Sequence, residues 1–110
     1  MHPPTQQLDE LVNRIVQAVH PERIILFGSG ARGDMRPDSD LDVLDLDVLV
    51  VMPEGTHRRH TAQFLHTQLF GLPFAVDILV TTPSLLEKHR HNIGLIYREI
   101  LAEGTELYAA

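Results

Sequence analysis

Six of the chain's 15 acidic residues crowd into one short stretch: Asp34, Asp38, Asp40, Asp42, Asp45 and Asp47. Carboxylates at that density repel one another unless a cation lies among them. The pattern Asp-x-Asp occurs twice in the stretch. Residues two apart in a strand share a face, so either pair could grip one or two hard divalent ions. Asp77 is a third candidate ligand, set among Ala75, Val76, Ile78 and Leu79. A carboxylate buried in such company without a partner is strongly disfavoured, so Asp77 is expected to be buried and to share a metal with one of the pairs. Upstream, Gly28 and Ser29 close a short apolar run. Glycine lets the backbone approach an anion, Ser29 and the amides after it can hold phosphate oxygens, and Arg32 can reach the same phosphate. An oxygen-ligated metal beside a phosphate cradle is the equipment of phosphoryl chemistry, in which two such ions can hold the attacking and leaving oxygens in line.

These residues need elements to hold them. Leu8, Leu11, Val12, Ile15, Val16 and Val19 recur at helical spacing between Thr5 and Pro21, which predicts an amphipathic first helix. Ile24-Ile25-Leu26-Phe27 is too short for a helix and suits a buried strand that delivers Gly28-Ser29 at its end. Residues 33–39 read as a loop, and Val48-Leu49-Val50-Val51 before Pro53 and Gly55 reads as a second strand. A helix is expected from after Thr56 to Gly71, and a third strand over Phe74 to Val80. Pro83 opens a further helix, Asn92 to Gly104 another, and Glu106-Leu107-Tyr108 makes a short edge strand. The expected class is α+β: a mixed sheet of about four strands with helices packed mainly on one face, in a single domain over residues 1–110.

Composition narrows the chemistry. With no cysteine in the chain, disulfides, thiol redox chemistry and thiolate zinc sites are excluded. The formal charge is −6, and Lys88 is the one lysine beside eight arginines, so no basic stripe exists to neutralise a duplex phosphate backbone. Neither a membrane span nor a signal pattern is present, which leads to an expectation of a cytoplasmic protein. His57 and His60, at i, i+3 spacing, admit an imidazole zinc site, but a solvated face explains His57-Arg58-Arg59-His60 equally well. Tyr97 and Tyr108 read as packing residues.

Taken together, Gly28-Ser29-Gly30-Ala31-Arg32-Gly33, the run Asp-Leu-Asp-Val-Leu-Val-Val and Val76-Asp77-Ile78-Leu79 resemble the minimal nucleotidyltransferase signature of the polymerase-beta superfamily. The likeness extends to Asn92-Ile93-Gly94-Leu95-Ile96-Tyr97-Arg98-Glu99-Ile100-Leu101 and so covers nearly the whole chain. The resemblance implies a palm-like nucleotidyltransferase fold and transfer of a nucleoside monophosphate, AMP from ATP, with Mg²⁺ or Mn²⁺. It implies that an aspartate pair and Asp77 bind the metal, that Asp77 helps activate an acceptor hydroxyl, and that Gly28, Ser29 and Arg32 bind the triphosphate. Free-standing members of that family commonly pair with a small helical HEPN-type toxin and act as antitoxins that adenylylate its tyrosine. A non-catalytic interaction module of the same fold, and an enzyme acting on an aminoglycoside-like small molecule with a pocket completed by a homo-oligomer, are the alternatives.

The chain departs from that signature in one place. Asp40-Leu41-Asp42-Val43-Leu44 is repeated without change as Asp45-Leu46-Asp47-Val48-Leu49. The first copy has the family spacing from Gly28-Ser29, and the second runs on into Val50-Val51. A shift of five is odd, so in one continuous strand the two pairs would face opposite ways. If Asp40 and Asp42 served, Asp45 and Asp47 would fall on the core face. If Asp45 and Asp47 serve, the extra residues lengthen a loop at small entropic cost. The reading favours Asp45 and Asp47, with Asp40 and Asp42 as the alternative pair.

Overall fold

The computed structural model describes residues 5–27, 45–72, 75–89 and 104–110, with the side chains of residues 5–7 and 45 outside that description. Along the chain these residues form α1 (Thr5–Val19), β1 (Arg23–Phe27), β2 (Asp45–Val51), α2 (Arg58–Gln68), β3 (Ala75–Thr81), α3 (Pro83–His89) and β4 (Thr105–Ala109). The strands join in the order β3-β2-β1-β4. The pairs β1/β2 and β1/β4 are antiparallel and β2/β3 is parallel, so the sheet is mixed, as expected. The helix expected from Asn92 lies outside the described residues.

Period-two alternation along the strands builds two apolar layers. Ile24, Leu26, Leu46, Val48, Val50 and Val80 turn to one face, where they meet Leu11 and Ile15 of α1 and Leu65 of α2, with Leu69 just beyond it. On the opposite face Ile25, Leu49 and Val51 pack with Leu86 of α3, flanked by Phe27 and Leu79. Because both of its faces are covered, β2 reads as a near-continuous apolar run after Asp47. Of the described helices, α1 and α2 lie on the first face and α3 on the second.

The ends of the helices have local causes. His57 is extended at the N-cap of α2, where its Nδ1 accepts from the amide of His60 at 3.3 Å. Past α1, His20 adopts a left-handed φ of 52° and its amide donates to the Val16 carbonyl at 3.0 Å, before Pro21 ends the run. At the other end of α2, Arg14 of α1 donates from Nη1 to the carbonyls of Gln68 at 3.4 Å and Phe70 at 3.2 Å, while its Nη2 bonds Glu10. A guanidinium on the last carbonyls of a helix satisfies groups with no intrahelical partner and complements the helix dipole. Arg14→Ala is therefore expected to lower stability by about 0.5–1.5 kcal/mol, read as a fall in melting temperature. An unchanged melting temperature would remove Arg14 from the set of interactions that hold α1 to α2.

Candidate active site

In the sheet register, Asp47 of β2 stands directly opposite Asp77 of β3. Partners in a ladder carry their side chains on the same face, on strands about 4.8 Å apart. On the other side of Asp47 the register partner is Phe27, the last residue of β1. One row across the sheet thus reads Phe27, Asp47, Asp77, at the end of the face whose next row is Ile25, Leu49 and Leu79. The carboxylates sit at the rim of an apolar layer, where like charges in opposed positions repel and a shared cation would relieve them.

Asp77 is exposed, which corrects the expectation of a buried carboxylate. Its sequence neighbours Val76 and Ile78 pack into the first core layer, whereas Asp77 points to the other face. Asp47 is half-buried. Asp45 opens β2 with its backbone opposite Ala75, two residues before Asp47; its side chain lies outside the described residues. Among the described residues no group of three His, Cys, Asp or Glu side chains is placed to share a metal, so the set Asp45, Asp47 and Asp77 is represented there by Asp47 and Asp77.

Gly28, Ser29, Arg32, Asp40 and Asp42 lie outside the described residues. Strand β1 ends at Phe27, across from Asp47, and Gly28 is the next residue in the chain.

Phe27 is the neighbour that sequence reasoning passed over. Half-buried against the second core layer, it gives Asp47 an apolar flank, and only the antiparallel register of β1 with β2 could have revealed it. The imidazole zinc reading loses its support. The rings of His57 and His60 stack on one another with centroids 3.9 Å apart, and His57 Nδ1 is engaged as a helix cap.

Residues 8–106 match the family model of the nucleotidyltransferase domain. The chain belongs to the nucleotidyltransferase domain family. The match includes every strand residue of the Phe27, Asp47, Asp77 row and all the residues expected to bind metal or triphosphate. A crystal structure of a protein from Sulfolobus solfataricus, provisionally described as a nucleotidyltransferase, superposes with a TM-score of 0.59 at 20% identity, covering 94% of this chain and 78% of that one. At that identity the likeness is one of fold. No curated protein is significantly similar to the chain. Among the described residues, no helix of this nucleotidyltransferase is long and apolar enough to cross a membrane.

Proposed function

We propose that this nucleotidyltransferase is a cytoplasmic enzyme that transfers AMP from ATP to a hydroxyl of a protein acceptor, a tyrosine of a HEPN-type toxin, and so acts as an antitoxin. The observation that carries the reading is the register that sets Asp47 against Asp77, at the sheet end from which the chain enters Gly28-Ser29. In the reaction the acceptor oxygen bonds the α-phosphorus, the bond from that phosphorus to the β-phosphate bridge breaks, and pyrophosphate leaves. Asp77, exposed on an outer face of the row, is open to an acceptor and takes the hydroxyl proton. Asp47 orients the reacting groups from the half-buried side, and Ser29 and Arg32 with the Gly28 backbone hold the triphosphate.

The donor set fits a hard divalent ion: carboxylates on adjacent strands and no cysteine. Asp45, Asp47 and Asp77 would hold Mg²⁺ or Mn²⁺. Bound there, the ion would neutralise charge on the carboxylates and on the phosphates of the nucleotide.

The deciding experiment is incubation with labelled ATP and Mg²⁺, with and without a HEPN-type protein, followed by mass measurement of both. Addition of one AMP unit to the partner is expected. Neutralisation of the partner with no mass change would replace the enzyme by a binding module of the same fold. Ser29→Ala and Arg32→Ala are each expected to weaken ATP binding by about tenfold with the melting temperature unchanged. Equal calorimetric affinity in both variants and the parent would move the triphosphate site elsewhere.

A further inference from the structure

Between Glu54 and Asp77 there is no acidic residue, in a chain whose net charge is −6. Helix α2 fills half of that interval and carries Arg58, Arg59, His60 and His66 on exposed positions, with His57 exposed at its cap. The nearest acid before it is turned away: Glu54 accepts from the Ser84 amide at 2.7 Å and from the Ser84 hydroxyl at 2.9 Å. The same helix displays the exposed large apolar side chains of the described residues, Phe64 at 45% and, just past its end, Phe70 at 87% relative accessibility. At helical spacing His57, His60 and Phe64 follow one another along an exposed stripe of α2, about 100° round the helix from the buried Leu65. Near the start of this face a surface recess of about 420 Å³ is lined by His57, Arg58 and Arg59.

Phe70 sits on a fixed backbone. Its carbonyl accepts from Arg14, the Leu69 amide bonds the Leu65 carbonyl, and Gly71 takes a left-handed φ of 93° that closes the turn. An aromatic ring held out to solvent on an ordered backbone loses little further freedom on association. Arg58 and Arg59 at the start of this face, with His60 and His66 one turn before the two anchors, favour a partner with carboxylates around an apolar centre.

We propose that the outer face of α2 and its following turn, from His57 to Phe70, docks an acidic protein partner, with Phe64 and Phe70 as its apolar anchors and Arg58 and Arg59 as its charge contacts. A protein is favoured over nucleic acid because the face carries two arginines and no lysine, too few to follow a phosphate backbone in a chain of net negative charge. The proposal is independent of the catalytic reading.

The test is titration of the isotope-labelled protein with a synthetic amphipathic helical peptide bearing leucines on one face and glutamates along its flanks. The same peptide with lysine at each glutamate, and bulk tRNA, are the comparison arms. The acidic peptide is expected to shift amides of residues 57–72 with a dissociation constant near ~10⁻⁴ M, and the lysine peptide to bind at least about tenfold more weakly. Phe64→Ala with Phe70→Ala is expected to weaken the acidic peptide by at least about tenfold at unchanged melting temperature, since both rings are exposed. Three results would overturn the proposal: no shift at about 1 mM acidic peptide, preferential binding of tRNA to this face, or self-association in sedimentation that the double variant abolishes.

Discussion

Asp45→Asn combined with Asp47→Asn is expected to abolish divalent-metal binding and lower AMP transfer by at least about a thousandfold, while Asp40→Asn combined with Asp42→Asn leaves both largely unchanged. The two pairs belong to identical pentapeptides, so chemistry alone does not separate them. Register does. Strand β2 begins at Asp45, and Asp47 lies opposite Asp77, while Leu46, Val48 and Val50 occupy the core side of the same strand. A slip of five residues would put Leu41 and Val43 in the places of Leu46 and Val48 but Asp45 and Asp47 in those of the buried Val50 and Met52, an exchange the core layer opposes. Deletion of residues 40–44 should preserve or raise activity. Manganese titration by calorimetry with ATP present, alongside the labelled transfer assay, measures the contrast. Loss of metal binding in the Asp40/Asp42 variant and its survival in the other would assign the site to the first copy.

Leu46→Ala should cost about 2–5 kcal/mol of folding stability. Leu46 is fully buried between two acidic sequence neighbours and packs in the layer with Ile24, Leu65 and Val80. Its side chain is what ties the charged start of β2 into the sheet, and the cavity left by alanine would be closed only in part. Urea unfolding gives the loss directly as a lower midpoint at constant slope. A change below about 1 kcal/mol would mean that the strand start is held by its backbone pairing alone.

Much of this architecture was legible in the residues. Ile24 to Phe27, Phe74 to Val80 and the periodic apolar set of α1 predict elements that the structure reproduces with boundaries shifted by a residue or so, apart from the lead of α1 back to Thr5. Pro83 opens α3 as expected, and the segment around Leu107 pairs as an edge strand with β1. The start of β2 was less legible. Aspartates disfavour strands, so local preference begins the element at Val48, whereas burial of Leu46 and pairing with β3 carry it back to Asp45. The exposure of Asp77 was misread for a related reason. Apolar residues on either side of it suggest burial, but in a strand adjacent residues describe the opposite face, and the company that matters is Asp47 across the ladder. Of the site, the aspartate types and the third carboxylate were visible in sequence. Their alignment in one row with Phe27 required the register, which depends on contacts between segments distant in the chain.

The pairing of β4 with β1 bears on how the protein comes to be folded. Arg23 and Glu106, joined by an ion pair of 2.8 Å across this seam, stand 83 residues apart in the chain. The strand they border, Ile24-Ile25-Leu26, is wholly apolar and buried in the finished sheet. During synthesis one edge of β1 can be taken by β2 early, but the other stays open until the whole stretch through β3 and α3 has been made. An unpaired apolar strand edge is a template for unwanted pairing with other chains. Non-local pairing of this kind also closes slowly. Until β4 has been made, the nascent chain therefore carries this apolar strand with one edge open to unwanted pairing.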